Sequence, residues 1–285
     1  MLLKAEPYVG GEILRLKEKV RNFKYKIPTL AIISIGNDKA SEIYIRNKKR
    51  MCEAIGIECN VFFFDTEVQE KIVCDLIDNL NADDTINGII VQLPLPKQFN
   101  ERRILNVIDP LKDVDGLTNT QMGFLRTNDK RKLVPCTPQG IIDLLKYYNT
   151  PLEGKRVAIV NRSEIVGRPL AELFLQENAV PTICHSKINE LDLREILLDS
   201  SIVVTGVGKP EFFYWYNFRY GSTIVDVSIN KDVVGKMCGD VSKGSYDELM
   251  KMGCHITPVP GGIGRTTVLS LMKNVIKAYE MQQEG

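Results

Sequence analysis

Two side chains that could do chemistry, Tyr44 and Lys48, stand four residues apart in a predicted helix at 42–54, so they project from one helix face. The ring can stack on a flat ligand while the ammonium handles protons, although such a pair alone is more often part of a solvated surface. Gln92 favours function, because it ends an apolar strand before the stiff run Leu93-Pro94-Leu95-Pro96. Ligands bind at the carboxyl ends of parallel strands, which predicts a binding edge here.

Two loops have compositions that suit a ligand site. Lys112-Asp113-Val114-Asp115-Gly116 carries two carboxylates, although acidic loop residues are usually solvated. Thr257-Pro258-Val259-Pro260-Gly261-Gly262-Ile263-Gly264 combines two prolines with three glycines just before the predicted last helix. Proline fixes φ and glycine frees it, as a backbone clamp on a ligand requires, but an ordinary loop can have the same composition.

A strand that turns sharply into a helix marks the second half of the chain. The apolar run at 156–160 leads into Asn161-Arg162-Ser163, and Gly167-Arg168-Pro169 opens a helical pattern. The free N–H groups of such a helix face whatever lies over the turn, which is typical of a nucleotide-binding βαβ unit. The alternative is a strand–helix joint that binds nothing.

The predicted second strand of this half ends at Cys184-His185-Ser186-Lys187, without the acidic residue that holds ribose hydroxyls in NAD-binding units. A hydroxyl and cations there, with Arg162 from the first turn, favour NADP over NAD, while a plain solvated strand end remains the other interpretation. His185 is interpreted as a strand-end residue. After the third strand, Gly206 and Gly208 would let a cofactor approach the backbone closely, or form an ordinary turn.

Composition limits the classes of partner. The 285 residues include 37 Lys and Arg against 36 Asp and Glu, so no strong field favours nucleic acid or an anionic membrane. No apolar stretch is long enough to cross a bilayer, and the N-terminus lacks a signal or transit pattern. Seven cysteines with no zinc-like spacing indicate reduced thiols, no metal site and a cytoplasmic location.

Alternating patterns predict two α/β domains with parallel sheets and a cleft between them. A threonine cap at Thr137, with Pro138 first in the helix, predicts one further helix, and the prolines from Pro94 onward predict a loop region up to Pro135. The remaining predictions are strands at 29–35, 59–64, 86–93, 156–160, 180–185, 202–206, 223–229 and 255–258, and helices at 42–54, 68–80 and 268–280.

Taken together, these segments resemble the bifunctional methylenetetrahydrofolate dehydrogenase/methenyltetrahydrofolate cyclohydrolase family. Several motifs in the family's order are far more specific than any one of them, and they extend over nearly the whole chain. Besides Tyr44 and Lys48, the matching segments are 91–96, 112–116, 135–138, 161–169, 185–186, 225–230, 239–241 and 258–264.

The resemblance implies an α/β catalytic domain that binds folate, formed by residues 1–136 plus 267–285, and a Rossmann-type NAD(P)-binding domain at 137–266. It implies a homodimer formed through the nucleotide domains. In the family's pattern Lys48 is the catalytic lysine, Gln92 the glutamine beside it, Tyr44 the stacking ring and Asp115 the pterin-binding carboxylate. The substrate-binding set also includes Val91, Leu93, Pro260, Gly261 and Gly262, and the cofactor-binding set is Asn161, Arg162, Ser163, Gly167, Ser186, Gly206 and Ile229.

The implied chemistry fits these residue types. Removing hydride from a methylene bridge between two nitrogens needs no protein base, so the protein mainly orients the nicotinamide of NADP, or of NAD. Hydrolysis of the methenyl product does need proton transfer, and Lys48 can serve only if its ammonium gives up a proton near neutral pH, next to a neutral partner such as Gln92.

The sequence departs from the family's usual spelling at three places. Asn161 and Ser228 stand where glycine is common, and Arg265-Thr266 replaces Pro-Met. Competing interpretations are a dehydrogenase-only member of the same family, a shikimate- or glutamate-type dehydrogenase, and a non-catalytic folate- or nucleotide-binding protein. The last would be supported by loss of Lys48 or of the cofactor turn, and both are present.

Overall fold

The computed structural model describes residues 1–24, 26–36 and 39–284, without the side chains of Lys39 and Ala40. The chain forms two compact units. The first-sheet unit contains residues Gly10–Cys136 and those from Val268 onward, and the second-sheet unit contains Met1–Val9 and Thr137–Thr267.

Three parallel strands form the sheet of the first-sheet unit, in the order β2-β1-β3. They are β1 (Thr29–Ile35), β2 (Glu58–Phe64) and β3 (Gly88–Val91). Every residue of β1 and β3 is buried, as expected for apolar runs covered on both faces of a parallel sheet. The prediction for 29–35 is confirmed. The strand predicted at 86–93 ends at Val91, and only the Gln92 N–H continues its pairing, at 2.8 Å from the Ile33 carbonyl.

The predicted loop region up to Pro135 was wrong, because it contains two helices. Each has a side-chain cap: Asn100 accepts from the Arg103 N–H at 3.0 Å, and Thr118 from the Gln121 N–H at 3.2 Å. The prolines obscured these start signals. The helices up to this point are α1 (Glu6–Arg21), α2 (Lys39–Ile55), α3 (Glu70–Ala82), α4 (Glu101–Leu105) and α5 (Asn119–Arg126).

Five parallel strands form the sheet of the second-sheet unit, in the order β10-β7-β6-β4-β5, and β8 pairs with β9 as a small antiparallel hairpin. The parallel arrangement confirms the predicted fold class. The strands are β4 (Arg156–Val160), β5 (Val180–Ile183), β6 (Ile202–Thr205), β7 (Thr223–Asp226), β8 (Asn230–Lys231), β9 (Met237–Cys238) and β10 (His255–Ile256).

The first nine residues group with the second-sheet unit, whereas the predicted boundary put all of 1–136 in the other domain. Backbone pairing explains the difference. The Leu3 N–H bonds to the Ile256 carbonyl at 2.8 Å, and the Ile256 N–H bonds to the Met1 carbonyl at 3.0 Å. The N-terminus thus extends the β10 edge of the second sheet.

Five more helices follow: α6 (Cys136–Tyr147), α7 (Gly167–Gln176), α8 (Glu190–Asp199), α9 (Tyr246–Lys251) and α10 (Ile263–Glu284). Thr137 is not the cap of α6, because the helix begins one residue earlier, at Cys136. Pro138 still lies in the first turn, where no backbone N–H is needed. The last helix begins at Ile263 rather than Val268, so the Gly-rich loop is shorter than predicted.

Candidate active site

In the first-sheet unit, Lys48 and Gln92 are in contact at the carboxyl end of β3, next to β1, where the strand order reverses. Such switch points are where open α/β sheets bind ligands. Lys48, on α2, donates from Nζ to Gln92 Oε1 at 3.0 Å, and Gln92 Nε2 donates to the Leu93 carbonyl at 2.7 Å. The glutamine amide is therefore held with its oxygen toward the lysine.

Tyr44 lies one helical turn before Lys48 on the same face of α2. Its side chain is 37% exposed, while burial of the rest raises the pKa of the phenol. A ring that is partly buried and partly exposed can present one face to a flat ligand. Nearby, Val91 is buried at the end of β3, and Leu93 is half-buried and precedes a cis peptide bond to Pro94.

Asp115 reaches the same edge because the chain before it runs alongside β3. Asp113 pairs with Ile89 in a parallel bridge, and the Ile89 N–H bonds to the Lys112 carbonyl at 2.7 Å. Burial raises the pKa of the Cys136 thiol well above its ordinary range, and the Asp115 carboxylate raises it further while Lys48 acts in the opposite direction. Asp115, Cys136 and Lys48 therefore lie close enough to interact electrostatically.

Asp113 is 1% exposed and organises the loop that carries Asp115, unlike a typical solvated loop acid. Its two carboxylate oxygens accept from the N–H groups of Gly116 at 3.0 Å and Thr118 at 2.7 Å. Burial raises the pKa of Asp113 to about 6. At Gly116, φ is +71°, and a Cβ would come within 2.3 Å of the Leu133 carbonyl oxygen, so only glycine fits.

Lys112, the other charged residue of this loop, serves structure rather than a ligand. Its buried Nζ donates to three carbonyl oxygens at the end of α3, those of Leu80 (3.0 Å), Asn81 (2.7 Å) and Asp83 (2.8 Å). A cation is favourable at a helix C-terminus. Burial nevertheless lowers the pKa of Lys112.

In the second-sheet unit, Asn161 occupies the equivalent switch point, between β4 and β6. Its Oδ1 accepts from Ser163 N at 2.8 Å, Ser163 Oγ at 2.7 Å and Gly167 N at 3.1 Å, and its Nδ2 donates to the Gly206 carbonyl at 2.6 Å. This amide fixes the turn and ties it to the loop after β6. An added Cβ on Gly167 would come within 2.1 Å of the Asn161 carbonyl oxygen, so that position requires glycine.

The groups with cofactor chemistry are exposed: Arg162 in the β4–α7 turn, and Ser186 and Lys187 after β5. No acidic side chain stands at 184–187, directly after β5. His185 Nδ1 accepts from the Lys187 N–H at 3.2 Å, which matches a strand-end role. Ile229, between β7 and β8, is 45% exposed.

The Gly-rich loop consists of 257–262, because Ile263 and Gly264 belong to α10. Pro260 is exposed and follows a cis peptide bond, and Gly261 has φ of +112°. A Cβ on Gly262 would come within 2.7 Å of the Pro258 carbonyl oxygen. Of the two departures that follow, Arg265 is exposed, whereas Thr266 is buried and would lie 2.6 Å from a Cβ on Gly140.

Sequence reasoning assigned no role to Asp226 and Asp240, which are 1% and 0% exposed. Burial raises the pKa of Asp226 to about 7. A carboxylate inside the otherwise mostly apolar predicted strand at 223–229 was the available signal for Asp226. Among the described residues, no cluster of His, Cys, Asp or Glu could hold a metal ion. None of the helices in the described ranges is long and apolar enough to span a bilayer.

Two family models cover most of the chain. The catalytic domain of tetrahydrofolate dehydrogenase/cyclohydrolase matches residues 12–115, and the NAD(P)-binding domain of the same family matches residues 135–283. The bifunctional protein FolD of Agathobacter rectalis is 42% identical over 267 residues, which is 93% of this chain and 94% of that protein. The chain belongs to the tetrahydrofolate dehydrogenase/cyclohydrolase family.

Solved structures of this family share the fold. The bifunctional dehydrogenase/cyclohydrolase FolD of Campylobacter jejuni superposes with a TM-score of 0.94 at 34% identity, covering 99% of both chains. The dehydrogenase-cyclohydrolase of Trypanosoma brucei, solved with NADP and an inhibitor, gives a TM-score of 0.92 at 29% identity, covering 100% of this chain and 99% of that one. The Lys48–Gln92 pair lies within the part that matches the catalytic domain, and the Asn161 turn within the NAD(P)-binding domain.

Proposed function

We propose that this protein oxidises 5,10-methylenetetrahydrofolate to 5,10-methenyltetrahydrofolate with NADP+, and hydrolyses the methenyl form to 10-formyltetrahydrofolate. The observation that carries the proposal is the 3.0 Å hydrogen bond between Lys48 Nζ and Gln92 Oε1 at the switch point of the catalytic domain. A lysine with a neutral acceptor suits proton transfer, because that acceptor does not favour the ammonium as a carboxylate would.

In the hydrolytic step, a water oxygen bonds to the methenyl carbon and one proton leaves that water. The bond from this carbon to N5 then breaks as the nitrogen takes up a proton, and the hydroxyl on the carbon loses its own proton to form the formyl C=O, so one proton is released overall. Lys48, as the neutral amine, accepts the first proton and can return it as the ammonium, and Gln92 holds its Nζ in place. Lys48 and Gln92 are thus the central catalytic residues of the proposal.

Tyr44, Asp115, Val91 and Leu93 bind the folate in this proposal. The half-exposed Tyr44 ring offers a stacking surface, and the Asp115 carboxylate can accept hydrogen bonds from the amino-pterin. We assign Pro260, Gly261 and Gly262 to substrate binding through their backbone. The positive φ of Gly261, which favours glycine, and the tight packing at Gly262 support a loop of fixed shape.

The second-sheet unit would hold NADP through Asn161, Arg162, Ser163, Gly167, Ser186, Gly206 and Ile229. Arg162 and Ser186 fit a ribose phosphate, since they are exposed and no acidic side chain follows β5 at 184–187. Asn161 acts by shaping the turn, because its amide is already bonded within the protein. Bound NADP+ supplies the hydride acceptor, and the task of these residues is to fix its position. NAD remains the alternative dinucleotide.

We further propose a homodimer formed through the second-sheet unit, a cytoplasmic location, and no nucleic-acid or membrane partner. All seven cysteines are free thiols, which supports a reducing compartment. The net charge of +1 offers no field for a polyanion. Sedimentation or light scattering of the purified protein tests the dimer directly.

The function is tested by incubating purified protein with methylenetetrahydrofolate and each dinucleotide while following methenyl and formyl products. We expect dinucleotide reduction with NADP+ exceeding that with NAD+, and formyl product from added methenyltetrahydrofolate without any dinucleotide. Methenyl formation alone would identify a dehydrogenase-only member. Binding of folate and dinucleotide without either product would contradict an enzymatic function.

A further inference from the structure

We propose that Asp240 is a positioning residue that fixes the two loops after β6 and β7 in the shape that binds the dinucleotide. The inference rests on the proposed dehydrogenase activity and extends it to a side chain that lies beneath the binding loops. Asp240 is 0% exposed, so it acts through its neighbours rather than on a ligand.

Five donors converge on this carboxylate. Oδ2 accepts from Thr205 Oγ1 at 2.7 Å, Val207 N at 2.7 Å and Ser228 Oγ at 2.8 Å. Oδ1 accepts from Lys209 N at 3.1 Å and Asn230 Nδ2 at 3.0 Å. Each of the five partners donates to the carboxylate, so both of its oxygens are satisfied although the side chain is buried.

The donors lie on two segments that the proposal assigns to the cofactor. Val207 and Lys209 follow Gly206, whose carbonyl also accepts from Asn161 Nδ2. Ser228 and Asn230 flank Ile229, so Asp240 holds that residue from both sides.

Ser228 also links the two segments directly. Its Oγ accepts from the Gly208 N–H at 3.1 Å while donating to Asp240 Oδ2 at 2.8 Å. The loop after β6 and the loop after β7 are thus connected through one hydroxyl and one carboxylate. Displacing either loop would therefore break the hydrogen bonds that join it to the other loop through Ser228 and Asp240.

Asp226, at the end of β7, fixes the position of Asp240 itself. Its oxygens accept from Asp240 N at 3.1 Å and Val241 N at 2.8 Å. A Cβ on Gly239 would lie 2.0 Å from Asp226 Oδ2, so the backbone comes this close only with glycine. Asp226 thus holds the backbone of Asp240 in place, and the Asp240 side chain in turn holds the binding loops.

Asp240→Asn is the direct test, because an amide keeps one acceptor but turns an NH2 group toward donors. We expect the KM for NADP+ to rise at least tenfold, while the rate of methenyl hydrolysis without dinucleotide stays within about twofold of the original protein. Asp232→Asn is the matched control. Asp232 Oδ1 accepts from the N–H groups of Val234 (3.0 Å) and Lys236 (2.8 Å) in the exposed β8–β9 hairpin, and neither bond involves Asp240 or an assigned cofactor residue.

Ser228→Ala is a second, milder variant, which keeps the carboxylate and removes the link between the loops. We expect a severalfold rise in the KM for NADP+ with hydrolysis unchanged, so this variant decides the question if Asp240→Asn does not fold. An unchanged KM in a folded Asp240→Asn protein, or an equal loss of hydrolysis, would overturn the positioning role. Absence of dinucleotide-dependent oxidation in the unmodified protein would instead refute the proposed function.

Discussion

The two units place their candidate residues at the same point of a parallel sheet but build the sites differently. In the first-sheet unit, long side chains from separate segments meet at the switch point, as Lys48 and Gln92 do. In the second-sheet unit, Asn161 is turned inward and bonded to the protein, which leaves the exposed cations Arg162 and Lys187 for a ligand. The former arrangement suits chemistry and the latter suits binding.

The units also share a structural feature: in each, a buried carboxylate accepts hydrogen bonds from the backbone of a loop and fixes its shape. Asp113 fixes the loop of Asp115, and Asp226 fixes the turn that contains Asp240. Burial raises both pKa values, to about 6 for Asp113 and about 7 for Asp226. Loop shape in this protein therefore depends on buried acids, and each can be altered separately.

The largest expected effect is on the free energy of unfolding, through the buried carboxylate Asp226. The pKa of folded Asp226 is about 7, so it keeps its proton up to about that pH, whereas the carboxyl of the unfolded chain loses its proton near pH 3.8. The raised pKa therefore destabilises the folded protein. This destabilisation is absent below about pH 4, grows as the pH rises, and reaches its full size above about pH 7. We expect Asp226→Asn to gain stability relative to the original protein across that window, by up to about 4 kcal/mol.

Denaturant unfolding of both proteins at pH 4.5, 6 and 8 measures the difference directly. The stability lost by altering the hydrogen bonds of Asp226 is the same at every pH. The change of the stability difference with pH therefore reports the ionisation alone. A difference that is flat, or that falls as pH rises, would show that folded Asp226 ionises normally.

The second effect concerns the catalytic pair. In Gln92→Glu, a carboxylate beside Lys48 favours the ammonium. We expect hydrolysis at pH 7 to fall about a hundredfold and its pH profile to move to higher pH, with dehydrogenation affected less. Gln98→Glu is the control, because Gln98 is exposed and its side chain donates to the Thr66 carbonyl at 2.7 Å. An unchanged pH profile would remove Gln92 from the proton transfer.

A third, smaller effect tests the buried carboxylate of the first-sheet unit, Asp113. Asp113→Asn can accept from only one of the Gly116 and Thr118 N–H groups. We expect the KM for folate to rise about tenfold while the KM for NADP+ is unchanged, the opposite of the result expected for Asp240→Asn. Asp129→Asn, at an exposed turn, is the control. Equal changes in both KM values would mean that the two loops are not independent.

The smallest effect concerns the choice of dinucleotide. Arg162→Ala removes a cation that fits a ribose phosphate, so we expect the KM for NADP+ to rise about fivefold and that for NAD+ to change less than twofold. Arg168→Ala provides a control, because that exposed arginine pairs with Glu164 at 3.5 Å. Equal effects on both dinucleotides would assign Arg162 no role in discrimination.

The sequence predicted well what depends on residue type and periodicity. The β1 and β4 strands lie where the apolar runs placed them, and both sheets are parallel. Gln92 and Lys48 are in contact, as the resemblance to the family implied. Their roles remain proposals.

What depends on burial or long-range pairing could not be predicted. The N-terminal residues join the second sheet through Ile256, more than 250 positions away, which no local pattern reveals. Asp113 was interpreted as an ordinary loop acid and Asp240 was assigned no role, since only the folded chain shows which carboxylate turns inward. The helices α4 and α5 were missed because caps at Asn100 and Thr118 were outweighed by nearby prolines.

The most direct test of the whole account compares the two activities of Lys48→Ala with those of Lys49→Ala, an exposed neighbour on the same helix. Loss of the general base is worth about 10²- to 10⁴-fold, so we expect methenyl hydrolysis to disappear in Lys48→Ala and dehydrogenation to survive in part. Lys49→Ala should retain both. Near-normal hydrolysis by folded Lys48→Ala would contradict the central assignment of this site.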